Sequence, residues 1–202
     1  MNIALLAGGK GSRMGYIEKA FLEICGKKII DILMDRFKSG NTVVVCRDEK
    51  QKKLFEGYRC VEDVFKGSGP LGGIHAALKY FEDCVVIIAT DMPFVKSEII
   101  EELHTTAVNY DADVLMPCWK NGKLEPLLSV YSPKILPLIE RSLAKGEKKI
   151  LTPVFKAENV VLYDAECLRK FDKELISFFN INTPQDLKRA EEICLSIGLG
   201  EE

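Results

Sequence analysis

The chain has 202 residues, 47% of them hydrophobic and 29% charged, with 28 Lys and Arg against 30 Asp and Glu for a formal charge of −2. A chain of this length buries about 70% of its unfolded surface, so it needs neither disulfides nor a structural metal to fold. The composition excludes a disordered chain, and the charge balance excludes the polycationic signature of general nucleic-acid binding while leaving room for a local anion site.

Asn2 to Ala7 reads as a buried strand that Gly8, Gly9 and Lys10 end abruptly, which is unlike a signal peptide. Lys28 to Lys38 carries Ile29, Ile30, Leu33, Met34 and Phe37 at helical spacing. Thr42 to Cys46 is a valine-rich strand, Asp48 to Phe55 a short polar helix, and Arg59 to Val61 a short strand. A glycine-rich turn opens a helix from Gly72 to Phe81, and Cys84 to Ala89 is apolar on both faces, as a central strand must be. Ser97 is placed to cap a helix running to about His104, and Asp113 to Met116 forms the next strand. This β-α-β-α rhythm predicts a parallel sheet covered by helices on both faces. After Pro117 the rhythm changes: Asn121-Gly122 signals a turn, Leu127 to Tyr131 a strand, and the last third β additions plus helices at Pro133 to Ala144 and Thr183 to Ile197.

The apolar runs, such as Val85 to Ala89, are strand-sized, so no bilayer span is expected. The seven cysteines are odd in number, scattered and without a C-x-x-C pair, which reads as reduced thiols in a cytoplasmic protein. His75 and His104 fall in predicted helices without a partner at metal-ligand spacing.

The stretch Leu5 to Lys19, Leu-Leu-Ala-Gly-Gly-Lys-Gly-Ser-Arg-Met-Gly-Tyr-Ile-Glu-Lys, follows the first strand directly. Ligands of open parallel sheets gather at the carboxyl ends of strands. Glycines there allow successive backbone N–H groups to form a phosphate nest. Arg13 and Lys19 add two cations, each worth about 4 kcal/mol against a close phosphate at an effective dielectric of 20. The spacing fits neither G-x-G-x-x-G nor the P-loop. Asp91 follows the central strand, where a carboxylate suits Mg²⁺ shared with phosphate oxygens and water.

Leu6-Ala7-Gly8-Gly9, Arg13-Met14-Gly15 and Lys19 resemble the signature loop of nucleotidyltransferases. Asp63, Gly69-Pro70-Leu71-Gly72-Gly73, Thr90-Asp91-Met92-Pro93, Glu125-Pro126-Leu127 and Asn180-Ile181-Asn182-Thr183-Pro184 follow in order. Together they resemble the molybdenum cofactor guanylyltransferase family. The resemblance implies a three-layer α/β/α Rossmann-like nucleotidyltransferase fold with a mostly parallel central sheet, as one domain over 1–202. Residues 1–117 would form the nucleotide-binding part and 118–202 the acceptor side. It implies transfer of GMP from GTP to the terminal phosphate of molybdopterin, with Mg²⁺ as cofactor. Leu6, Ala7, Gly8 and Gly9 would hold the nucleotide through their backbone, joined by Lys19, Asp63 and Asp91. Catalysis would fall to Arg13, Lys19 and Asp91, with Asp91 on the metal. Gly69, Gly73, Glu125 and Asn182 are expected toward the acceptor.

Where the family usually has an asparagine after the second strand, this chain reads Val45-Cys46-Arg47-Asp48. That difference keeps a CTP-using relative open. A guanylyltransferase acting on adenosylcobinamide phosphate and a non-catalytic GTP-binding carrier are the other readings. The pathway implies contact with upstream molybdenum-insertion proteins and downstream apo-enzymes, while the charge balance and the strand-sized apolar runs predict no nucleic-acid or membrane partner.

Overall fold

The computed structural model describes residues 1–7 and 18–198. In chain order the elements are β1 (Asn2–Ala7), a small hairpin of β2 (Glu23–Ile24) and β3 (Lys27–Lys28), α1 (Ile29–Arg36), β4 (Asn41–Cys46), α2 (Glu49–Leu54) and β5 (Cys60–Glu62). They continue with α3 (Pro70–Phe81), β6 (Val85–Ala89), α4 (Ser97–Asn109), β7 (Val114–Cys118), β8 (Leu128–Tyr131), α5 (Leu136–Ala144), α6 (Leu151–Val154), β9 (Val160–Asp164) and α7 (Pro184–Ser196). Seven strands form one sheet in the order β5-β4-β1-β6-β8-β7-β9. The strands β5, β4, β1 and β6 run parallel, as do β7 and β9. Only β8 runs antiparallel, wedged between β6 and β7.

The period-two alternation of β1 divides the core. Ile3 and Leu5, with Val44, Val86 and Ile88, face Ile30 and Leu33 of α1, Ile100 and Leu103 of α4, and Ala190 of α7. Ala4 and Leu6, with Val43, Val45 and Ile87, face Leu71, Ile74 and Leu78 of α3 and Ile139 of α5. Both faces are thus covered, which is why the central strands read as unbroken apolar runs. The three-layer α/β/α architecture expected from the sequence is the one observed.

Four local expectations change. Ser97 is the first residue of α4, with Lys96 at the cap position, and its Oγ donates instead to the Arg36 carbonyl at 3.3 Å. The helix continues past His104 to Asn109 because Ala107 is still buried against the sheet. The helix α3 starts at Pro70, with Gly69 before it at φ +65°, a conformation that suits glycine alone.

The fourth change concerns the thiols. Cys25, on the turn between β2 and β3, is joined by a disulfide to Cys194 in α7, across 169 residues of sequence. The fold stacks α7 on the hairpin, a contact that no cysteine spacing announces. Five cysteines are free, among them the fully buried Cys46. Among the described residues no helix is long and apolar enough to cross a membrane.

Candidate active site

The parallel strands β1, β4 and β6 finish at the same edge of the sheet, in matched register: Ala7 lies beside Cys46, and Leu6 beside Ala89. Beyond that edge opens a cleft of about 500 Å³ whose wall includes Leu6, Val45, Arg47, Asp63, Gly69, Gly73 and Asp91. A crevice outside the carboxyl ends of parallel strands is where open α/β sheets bind ligands.

Lys19 opens a short 3-10 turn, Lys19–Phe21, and its Nζ lies 2.9 Å from Asp91 Oδ2 and 2.8 Å from Asn182 Oδ1. Both carboxylate and ammonium are mostly shielded, at 19% and 14% side-chain exposure, so this ion pair is less screened than a surface one. Asp91 reaches the site from the turn after β6, where the Met92 N–H donates to the Ala89 carbonyl. Asn182 reaches it from the far end of the chain. The Ile181 N–H donates to the Asp91 carbonyl at 2.9 Å, and Asp186 accepts from the N–H of Asn182 and Thr183. Those bonds, the Asn182 N–H first, hold the Asp186 carboxyl below its ordinary range. Thr183 and Asp186 close a capping box on α7. Asn182, expected toward the acceptor with Gly69, Gly73 and Glu125, therefore meets Lys19 and Asp91.

Asp63 follows β5 and is buried, 4% exposed. Its Oδ1 accepts from the Phe65 N–H at 2.8 Å. Burial raises its carboxyl above the ordinary range, against the lowering effect of the Phe65 N–H. The space for the carboxylate comes from Gly72: a Cβ there would fall 2.3 Å from Asp63 Oδ2. Gly72→Ala is therefore expected to displace the Asp63 carboxylate, break its bond from the Phe65 N–H and cost about 1 kcal/mol of stability, read by urea unfolding beside circular dichroism.

The raised Asp63 pKa has a definite sign for stability. Native protein holds this proton at pH values where unfolded chain has released it, so ionising Asp63 costs stability as pH rises. Asp63→Asn is expected to be more stable than the parent at pH 7. That margin should shrink as pH falls through the folded pKa and vanish below the unfolded one. Urea melts at several pH values check this, and a margin that grows on acidification would contradict it.

Leu6 lines the cleft and Ala7 ends β1 next to it, and their carbonyls already accept protein donors. Thr90 gives its N–H at 3.2 Å and its hydroxyl at 3.3 Å to Leu6, and the Gln51 amide binds Ala7. Gly8, Gly9 and Arg13 lie outside the described residues. Gly69 and Gly73 line the same cleft as Asp63. Glu125 is held elsewhere, by Trp119 Nε1 at 2.8 Å and Lys123 Nζ at 2.7 Å, and the Trp119 ring packs edge-on against Phe178.

Sequence reasoning missed Gln51. It is fully buried, and besides Ala7 its Nε2 donates to Glu18 Oε2 at 2.7 Å while its Oε1 accepts from the Arg47 N–H at 2.7 Å. Arg47 Nη1 also reaches Glu18 Oε2 at 3.2 Å. The available signal was Asp48-Glu49-Lys50-Gln51, a capping-box spacing. Asp48 does cap Gln51 N at 2.8 Å, but the Gln51 side chain reaches past the cap residue to Arg47.

The sequence profile of the MobA-like NTP transferase domain matches residues 3–160. The chain belongs to the MobA-like NTP transferase family. A member from Methanosarcina mazei, described as a probable molybdenum cofactor guanylyltransferase, is 40% identical over 91% of this chain and 87% of its own. Another from Desulfosudis oleivorans, described as a molybdenum cofactor guanylyltransferase, is 35% identical over 93% of this chain and 92% of its own. Among solved structures, molybdopterin-guanine dinucleotide biosynthesis protein A from Archaeoglobus fulgidus superposes with a TM-score of 0.90 at 46% identity, covering 97% of this chain and all of that one. A 2-C-methyl-D-erythritol 4-phosphate cytidylyltransferase from Thermus thermophilus shares the fold, with a TM-score of 0.64 at 16% identity over 96% of this chain and 98% of its own. In this MobA-like chain the profile ends before Asn182, so the contact of Asn182 with Lys19 lies beyond the matched region.

Proposed function

We propose that this MobA-like chain transfers GMP from GTP to the terminal phosphate of molybdopterin, giving the guanine dinucleotide form of the cofactor and pyrophosphate. The observation that carries this reading is Lys19 Nζ, held between Asn182 and Asp91, and Asp91 lines the cleft beyond the parallel strands. The relatives described above, which align over nearly all of this chain, support the choice of nucleotide and acceptor.

In the reaction an oxygen of the acceptor phosphate attacks the α-phosphorus, a new P–O–P link forms, and the α–β bridge bond breaks with its electron pair leaving on pyrophosphate. Such transfers depend on in-line positioning and charge neutralisation. Lys19 neutralises the transferring group, and Asp91 and Asn182 fix the position of its ammonium. Arg13 neutralises the leaving pyrophosphate. Asp63 contacts the nucleotide, Leu6 to Gly9 cradle it, and Gly69, Gly73 and Glu125 serve the acceptor side within a single domain over 1–202.

The donor set fits a magnesium ion carried in with the nucleotide. Asp91 Oδ2 is engaged by Lys19, and Oδ1 accepts no hydrogen bond from the described residues. Among the described residues there is no cluster of three His, Cys, Asp or Glu that would form a closed protein cage. Mg²⁺ takes one or two carboxylates plus phosphate oxygens and water, and when bound it supplies positive charge to the phosphates. The reading places the protein in the cytoplasm, between molybdenum-insertion proteins and cofactor-receiving apo-enzymes.

The test is dinucleotide formation from metal-loaded molybdopterin with each of the four nucleoside triphosphates, with and without a strong chelator. Product from GTP alone, lost on chelation, is the expected result. Product from CTP would move the protein to cytidylyl transfer. Transfer only to another phosphorylated acceptor, or tight GTP binding without any product, would reject the acceptor or the enzyme.

A further inference from the structure

We propose that Gln51 is a positioning residue of the transfer site, a buried amide that ties the carboxyl end of β1 to the Glu18–Lys19 corner. Lys19 is thereby delivered to Asp91. The proposal rests on the reading of Lys19 as the phosphate-facing cation. Gln51 has no exposed surface, so each polar atom of its side chain needs a protein partner. All are supplied by residues that border the site. One amide hydrogen goes to the carbonyl of Ala7, the last residue of β1, and the other to Glu18 Oε2 at 2.7 Å. The carbonyl oxygen accepts from the Arg47 N–H, just after β4, at 2.7 Å. Glu18 is the extended residue directly before the Lys19–Phe21 turn, whose first bond runs from the Phe21 N–H to the Glu18 carbonyl at 3.0 Å. Fixing Glu18 therefore fixes the point from which the Lys19 side chain departs. Arg47 Nη1 bonds the same Glu18 oxygen and so orients the carboxylate toward the amide.

The chemistry specifies glutamine. Two acceptors, a carbonyl and a carboxylate, face one end of the side chain, and one donor faces the other. Glutamate of the same shape keeps the Arg47 N–H bond but turns an oxygen toward the Ala7 carbonyl and repels Glu18. Methionine fills the space and makes none of the bonds. A Glu18→Gln change in the Gln51→Glu background restores a donor–acceptor pair with reversed polarity.

The experiment compares the parent with Gln51→Glu, Gln51→Met, the Gln51→Glu/Glu18→Gln double variant and Thr42→Val. Thr42→Val removes a buried hydroxyl bond to the Phe37 carbonyl at the opposite end of β4 and controls for general loss of stability. Two readouts are taken well below the melting temperature of each variant: kcat and KM for GTP, and the rate at which an amine-acylating reagent modifies Lys19, followed by mass spectrometry. We expect Gln51→Glu and Gln51→Met to lose at least tenfold in kcat/KM, chiefly through KM, and to label Lys19 at least threefold faster. Thr42→Val should change neither, and the double variant should recover at least a third of the loss. Kinetics within twofold of the parent with unchanged labelling in folded Gln51→Glu would overturn the positioning role. So would an equal loss in Thr42→Val. A parent protein that transfers no nucleotidyl group would reject the functional reading instead, and the labelling ratios would still decide whether Gln51 positions Lys19.

Discussion

Lys19→Ala is expected to lower kcat for nucleotidyl transfer by about 10²- to 10³-fold, the range for loss of one preorganised group that stabilises transition-state charge. The fold should survive, because the Lys19 side chain makes polar contacts only with Asp91 and Asn182 among the described residues and carries no core packing. KM should move less than kcat if the ammonium acts on charge that develops during transfer. Asp91→Ala should also be severe, and the double variant should fall far short of the product of the two, because the groups touch and act as one unit. Single-turnover rates on the three variants, with circular dichroism for folding, make the measurement. Independent, multiplicative losses would mean that the ion pair seen between Lys19 and Asp91 is not the working unit.

The second large effect concerns stability. The Cys25–Cys194 bridge closes a loop spanning 169 residues, for which chain entropy alone sets a ceiling of about 5 kcal/mol. Cys194→Ser, or incubation with a strong reductant, is expected to lower the unfolding free energy by about 2–4 kcal/mol, since the unfolded chain retains some structure of its own. Cys194 sits on the buried face of α7, so the serine adds a modest packing cost. Urea unfolding with and without reductant separates the two contributions. A reductant that leaves the parent midpoint unchanged would show that the bridge contributes nothing in solution.

Much of the sheet was legible because its central strands are covered on both faces. The strands β1, β4 and β6 read as apolar runs, and α7 was read as the helix opening at Thr183. The strand β9 was not placed, because at the sheet edge its residues are half-exposed and lack a strong alternation. Lys19 and Asp91 were legible as candidate residues from local context, and Asp63 only through the family resemblance. Their partners were not. Asn182 meets Lys19 only because the chain before α7 packs on the turn after β6, and Gln51 meets Ala7 only because α2 returns over the end of β1. Those contacts are products of topology, and a linear pattern carries no distance information between such remote positions. The same holds for Cys25 and Cys194.

The antiparallel wedge of β8 also sets an order of assembly during synthesis. The strands β1, β4, β5 and β6 emerge first from the ribosome and form a parallel half-sheet from neighbours already made. The outer edge of β6 then carries unpaired backbone groups, and β7 is the next strand to leave the exit tunnel. In the finished protein β7 never pairs with β6; residues 128–131 of β8 take that edge, and β7 docks on the far side. An open strand edge is a template for wrong pairing, so the interval between translating β7 and β8 is the nascent chain's most vulnerable one. Within that interval the turn at Asn121-Gly122 folds the intervening segment back on itself, with the Trp119 N–H bonded to the Lys123 carbonyl at 2.8 Å.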